Sequence, residues 1–190
     1  MTFIFDTSSL VSLARYYLPF DQQGKIYNHM KKAMESKRII LIDAVFDECR
    51  YVAKKIVPER LDFLSDKSFM KKNKLPVITE EIIPAAPAKF YNMVENNFTT
   101  LAKNTLSETE FEKRKQEYLN SADARMIILA YNENYGDLAS DWVIVTEETG
   151  EANDKKEFKK IPDICKQLNI RTMNLPEYLS AFEDLNIFFG

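Results

Sequence analysis

Four carboxylates carry the chemistry open to this chain: Asp6, Glu48, Asp123 and Glu148. Asp6 closes the apolar opening Thr2-Phe3-Ile4-Phe5, and Glu148 follows Trp142-Val143-Ile144-Val145-Thr146-Glu147. An acid at the carboxyl end of a buried strand lies where open α/β sheets hold their ligands. Glu48 and Asp123 each fall near the start of a segment with helical periodicity. If the four converge, they repel one another and favour their protonated forms unless a cation compensates. A cage of three or four oxygen ligands suits Mg²⁺ or Mn²⁺ and excludes softer metals. Such a site points to the cutting of phosphodiester bonds.

Each acid also has an ordinary reading. Asp6 can cap a helix beginning at Thr7, and at this stage cap and ligand stand level. Glu48 sits at the edge of the stripe formed by Val45, Cys49 and Val52, where an acid near a helix N-terminus is favoured by the macrodipole. Asp123 is a first-turn acid in Ser121-Ala122-Asp123. Glu147 and Glu148 can belong to a polar loop, and Asp163, at the start of a later helix, is a further acid within reach of the same rim. Ser8 is either a helix cap or a hydroxyl that steadies Asp6. Taken together the acids are harder to dismiss: two follow apolar strands, and two begin helices entering the same sheet edge.

Composition narrows the alternatives. The 190 residues suit one domain, and 45% hydrophobic content supplies a core. A net charge of −3 excludes a globally basic nucleic-acid binder, so any such contact needs a local patch. His29 is the only histidine, and in Tyr27-Asn28-His29-Met30 it reads as solvated. Histidine-based acid–base or triad catalysis therefore has almost no material. Cys49 and Cys165 lack a C-x-x-C or a Cys/His neighbour, so they read as small buried hydrophobes in a reducing compartment, not zinc ligands. The start of the chain lacks a basic leader, and no apolar stretch approaches the roughly 18 residues of a membrane span. These features predict a cytoplasmic protein without membrane segments.

The elements that must position the acids follow from periodicity. Strands are predicted over 2–6, 38–42, 142–146 and 170–173. Ser8 or Ser9 is predicted to cap a helix from Leu10, with Leu10, Leu13, Ala14 and Tyr17 inward and Pro19 ending it. Further helices are predicted over 22–36, 44–55 after Asp43, 58–66, 88–103, 107–119 behind a Ser107-x-x-Glu110 capping box, 121–134, from Pro162 to Leu168, and after Pro176. Residues 149–160 read as a lysine-rich polar loop. The alternation predicts an α/β fold: a three-layer α/β/α sandwich around a parallel sheet of four or five strands, in one domain over 1–190, with a helical insertion at about 58–119.

These residues carry a resemblance. The sequence is similar to the PIN domain, the metal-dependent ribonuclease fold of many prokaryotic toxin–antitoxin toxins. Phe5-Asp6-Thr7-Ser8-Ser9-Leu10 resembles its opening hydrophobic-Asp-Thr-Asn/Ser motif. Val45-Phe46-Asp47-Glu48 resembles the helix bearing its glutamate, and Ala122-Asp123-Ala124 with Ile127-Ile128-Leu129-Ala130 resembles its central aspartate helix. Val143-Ile144-Val145-Thr146-Glu147-Glu148 resembles the strand that ends in Thr-x-Asp, with Glu148 in place of the aspartate. Val-Thr-Glu-Glu with the later Ile161-Pro162-Asp163 is closest to a PIN-like branch known mainly as a domain of unknown function.

The resemblance implies an endoribonuclease in which Asp6, Glu48, Asp123 and Glu148 hold Mg²⁺ or Mn²⁺, with Ser8 and Thr146 orienting them and Asp163 as an additional acid. It implies an RNA substrate, an antitoxin protein as partner if the chain is a toxin, and a homodimer. Arg15, Arg50, Lys54, Lys55, Lys155, Lys156, Lys159 and Lys160 are candidates for drawing in phosphates, each with plain surface charge as its ordinary reading. Two rivals stand beside this. A PIN-like binding module would keep the fold without the chemistry. A haloacid-dehalogenase-like phosphatase also starts from a strand ending in Asp, but needs a second aspartate where this chain has Ser8.

Overall fold

The computed structural model describes residues 1–51, 55–135, 141–150, 156–182 and 185, apart from the Ala102 side chain. Expectations for Val52, Ala53, Lys54, Lys155 and the apolar run Ile187-Phe188-Phe189 lie outside the described residues. Strands β1 (Thr2–Phe5), β2 (Ile39–Ile40), β3 (Trp142–Val145) and β4 (Arg171–Met173) form one parallel sheet in the order β2-β1-β3-β4. Helices cover the sheet as outer layers of an α/β/α sandwich. Phe3, Ile4, Phe5, Val143, Ile144 and Val145 are all buried, as strands covered on both faces require.

The helices are α1 (Thr7–Ser12), α2 (Lys25–Glu35), α3 (Asp43–Tyr51), α4 (Ile56–Arg60), α5 (Lys67–Asn73), α6 (Pro87–Asn96), α7 (Glu108–Leu119), α8 (Ala122–Asn134), α9 (Ile161–Leu168) and α10 (Leu175–Ser180). Helix α8 packs on β3, with α7 and α9 against it, and α3 packs on α1 and α8. The chain leaves β1 towards β2 on one side, while β3 pairs on the other. The β1/β3 boundary is therefore the topological switch point, and open α/β sheets bind ligands at its carboxyl edge.

Four local expectations are corrected. The first helix starts at Thr7 rather than Leu10, with Asp6 at its N-cap and no side-chain cap bond; neither Ser8 nor Ser9 caps it. It continues as a π-turn over Leu13–Tyr17 and a 3₁₀ turn over Leu18–Phe20. The second strand keeps only Ile39–Ile40 in the ladder, because Ile42 instead forms an isolated parallel bridge with Val77. The helix expected over 88–103 ends at Asn96, since Thr99 bridges antiparallel to Phe158 and the Lys159 N–H donates to the Phe98 carbonyl at 2.7 Å. Finally, α5 stands where no helix was predicted, capped by Asp66, which accepts from the Ser68 and Phe69 N–H groups.

Candidate metal centre

The parallel register sets Phe5 opposite Val145, so Asp6 and Thr146 leave the sheet side by side. The Asp6 N–H donates to the Val145 carbonyl at 2.9 Å, and Thr146 is tied to β4 through the Met173 carbonyl. The Asp6 side chain is buried, only 5% exposed. Its Oδ2 accepts from the Ser8 hydroxyl at 2.5 Å and the Thr146 hydroxyl at 3.0 Å. The Asp6 side chain makes no cap bond to α1: the carboxylate turns to the sheet edge, and two neutral hydroxyls hold it there. Ser8 also accepts the Glu147 N–H at 3.2 Å, and Thr146 accepts the Glu148 N–H at 3.1 Å. The β1 and β3 exits are thereby laced together around one carboxylate oxygen.

Glu48 stands on α3, whose inner stripe Val45 and Cys49 is buried. The carboxylate is exposed but reaches α1, accepting from the Thr7 hydroxyl at 2.5 Å. Thr7 was not among the predicted site residues. A helix-start hydroxyl gives no sign in sequence that its partner lies on another helix.

Asp123 sits in the first turn of α8, beneath a Ser121 cap that accepts the Ala124 N–H at 3.2 Å. Its carboxylate has no hydrogen bond or ion pair among the described residues. Burial, followed by the charges of Asp6, Glu148 and Glu48, pushes its pKa up to about 7; Lys156 opposes this. The electrostatics thus bring all four predicted acids into one field centred on Asp123. The same field reaches the buried thiols. Cys49 is raised to about 12 by burial and by Glu48 and Asp6, and Cys165 to about 12 by burial and Asp123. Both are free cysteines without a nucleophilic form near neutral pH.

The other acids part company. Glu148 Oε2 accepts the Ile161 N–H at 3.0 Å, so it faces the site while capping α9. Glu147 Oε1 accepts the Leu175 N–H at 2.7 Å, which makes it a cap of α10. Asp163 lies beside the Gly150 backbone and is not among the charges acting on Asp123. Asp43 is a useful contrast. Burial opposes its ionisation, but bonds from the Thr79 hydroxyl and N–H, the Ala44 N–H and the Arg125 charge outweigh it and lower its pKa. Arg125 Nη1 is 3.5 Å from Asp43 Oδ2. No described basic side chain forms such a pair with Asp6, Glu48, Asp123 or Glu148.

Uncompensated negative charge with free oxygen valences is the donor set that hard divalent cations take. The residues present fit Mg²⁺ or Mn²⁺ in charge and chemistry. Among the described residues, no three acidic, histidine or cysteine side chains stand together as a ready-made ligand group.

A cleft of about 200 Å³ opens beside Asp123 and Glu148, walled by Tyr118, Phe158, Lys156 and Lys160. Lys159 also lines it, but its Nζ is fixed on the Asn97 carbonyl at 2.7 Å. Of the predicted cations among the described residues, the lysines of the 156–160 segment line this cleft. Arg50 and Lys55 line a separate hollow, where Arg50 pairs with Asp47 at 3.8 Å, and Arg15 is exposed elsewhere. His29, read as solvated, instead lies 2.8 Å from the Tyr178 hydroxyl and packs on Phe182.

Among the described residues no helix is long and apolar enough to cross a membrane. No curated protein and no solved structure matches the chain. A family model does match, over residues 3–184, which covers both strand-end acids, α3, α8 and the cleft. The chain belongs to that family, the domain of unknown function DUF4411.

Proposed function

We propose that the chain is a metal-dependent endoribonuclease of PIN type, with Asp6, Glu48, Asp123 and Glu148 as its metal-holding acids. The observation that carries this is Asp123: a half-buried carboxylate with three like charges around it, opposed by Lys156 but in no ion pair among the described residues. Folding such a site costs stability, and a bound cation offsets that cost. Its place at the β1/β3 switch point supports the same reading.

A divalent cation bound there supplies the positive charge that polarises a phosphate and acidifies water. The chain's own groups do the rest. Ser8 and Thr146 fix Asp6 in one orientation, and Thr7 draws Glu48 towards α1. The Ile161 N–H fixes one oxygen of Glu148, leaving the other for the site. Lys156 and Lys160 border the cleft where a phosphate backbone would enter. RNA as substrate, an antitoxin partner and a homodimer belong to this proposal through the family resemblance, as does the cytoplasm as location. A haloacid-dehalogenase-like phosphatase is disfavoured, because the position two residues after Asp6 is a hydroxyl already bonded to Asp6.

The test is cleavage of a 5′-fluorescein single-stranded RNA with Mn²⁺, with Mg²⁺ and with EDTA. Wild type is expected to cut with metal only, and Asp6→Asn to lose at least about 100-fold, roughly 2.7 kcal/mol of barrier. Equal cutting by Asp6→Asn, or none by wild type with either metal, overturns the proposal. In the second case, absence of Mn²⁺ binding by calorimetry leaves the non-catalytic binding module.

A further inference from the structure

Tyr118 is the residue at this site that the proposed chemistry has not used. It occupies the last turn of α7, on a helix whose other face is charged. Phe111 stands seven residues earlier on the same face, and Phe158 lies near-parallel to both rings, at centroid distances of 6.2 Å and 4.3 Å. Seven helical residues rise about 10.5 Å, so the two aromatics clasp Phe158 between them. The Tyr118 ring is therefore held rigidly, and its hydroxyl end is driven inward.

That hydroxyl is buried and has no hydrogen-bond partner among the described residues. A buried phenol without an acceptor is costly, and native structures seldom keep one without use. The charged and titratable groups it faces are Asp123, Cys165 and Glu148. The oxygen of Glu148 that bonds within the protein already takes the Ile161 N–H. Asp123 accepts nothing among the described residues and lines the same cleft. A donor without an acceptor thus stands beside an acceptor without a donor. The turn between them is also fixed: the Ser121 hydroxyl donates to the Tyr118 carbonyl at 2.7 Å and caps the helix that carries Asp123.

We infer that Tyr118 is a positioning residue of the metal centre, its phenol donating to one Asp123 oxygen when the other turns onto the cation. This deepens the metal-centre reading and rests on it. It explains why a phenol is clasped through its ring and yet left without a hydrogen-bond partner of its own. Partners of this kind next to a ligating carboxylate are worth about 10- to 100-fold in metal affinity.

The experiment compares full-length wild type and Tyr118→Phe by thermal unfolding in EDTA and by calorimetric titration with Mn²⁺. Without metal, Tyr118→Phe is expected to unfold at the same temperature as wild type or higher, since it removes an unpartnered hydroxyl. Its Mn²⁺ affinity is expected to fall about 10-fold or more. In an Asp123→Asn background the same substitution should change Mn²⁺ affinity less than about twofold, because the phenol then has no carboxylate to orient. Unchanged Mn²⁺ affinity in Tyr118→Phe overturns the inference and leaves the metal centre standing. A clear fall in its metal-free unfolding temperature also overturns it, by showing that the hydroxyl has an internal partner. If wild type binds no Mn²⁺, the metal centre and the inference fall together.

Discussion

Replacing Asp123 by asparagine should stabilise the metal-free protein, and only above mildly acidic pH. In the folded chain Asp123 titrates near 7 against a reference of 3.8, a rise of about three units. Each unit is about 1.36 kcal/mol, so the full effect is about 4 kcal/mol. The carboxyl is partly open to water, and we carry about half, ~2 kcal/mol. The sign follows from linkage. Between about pH 4 and pH 7 the folded state holds a proton that the unfolded state has lost, so stability falls as pH rises through this window. The favourable contribution is complete below that window and gone above it. An asparagine side chain at this position cannot ionise and escapes the fall. At about pH 8 in EDTA, Asp123→Asn should therefore exceed wild type by ~2 kcal/mol, or about 4–8 °C in Tm for a chain of this size. At about pH 4 the two should coincide. Mn²⁺ should reverse the order at the higher pH, since a ligand at about 100 times its Kd adds about 2.7 kcal/mol to the protein that binds it. Urea unfolding across this pH range, with and without Mn²⁺, reads all of this. A less stable Asp123→Asn in EDTA at the alkaline end, or a pH-independent difference between the two proteins, would refute the reasoning.

Other outcomes follow from the same geometry. Because a proton and a cation compete for Asp123, Mn²⁺ affinity should rise with pH up to about 7 and level off, as calorimetric titrations on either side of neutrality would show. Ser8→Ala and Thr146→Ala each remove one donor to Asp6 and should each weaken Mn²⁺ binding about 10-fold while the protein stays folded. Glu147→Gln should bind Mn²⁺ as wild type does and lose about 1 kcal/mol of stability in urea at most, because its carboxylate caps α10. Arg125→Ala leaves the partly buried Asp43 without its ion-pair partner and should cost about 1–3 kcal/mol with metal affinity unchanged, again read by urea unfolding and calorimetry.

What could be read in the sequence was whatever rests on local periodicity. Trp142–Val145 emerges within a residue of expectation because burial on both faces demands an unbroken apolar run, and Asp6 and Thr146 mark where such runs stop; Arg171–Met173, a half-exposed edge strand, also lies within a residue of expectation. Pairing at a distance was not readable. Val77 captures Ile42 from an irregular stretch after a proline, and Phe158 captures Thr99 from a loop, so one strand shortens and one helix ends early. Glu147 and Glu148 look alike as neighbours after a strand. Only the positions of α9 and α10 show that Glu147 caps α10 while Glu148 caps α9 and lines the cleft beside Asp123. The sequence signal for Tyr118 is its spacing: Phe111 and Tyr118 are the aromatics seven apart on a mostly charged helix.

The distinction between a structural acid and a functional one comes down to what compensates it. Asp43 and Asp123 both begin helices and both are partly buried, so helical position and burial do not separate them. Asp43 has Thr79, the Ala44 N–H and Arg125, and it ionises more readily than an ordinary aspartate. Asp123 has three carboxylates for neighbours, and it resists ionisation. A fold that merely needed an acid at a helix start would have no reason to surround it with like charge. Asp6 falls on the same side of the line: its donors are the hydroxyls of Ser8 and Thr146, which orient the carboxylate without neutralising it. Neutral donors hold Asp6, Glu48 and Glu148, and none of the four acids forms an ion pair among the described residues, which supports the proposed cation site. The single histidine fits the proposed cation site, which would need no imidazole to supply or remove protons.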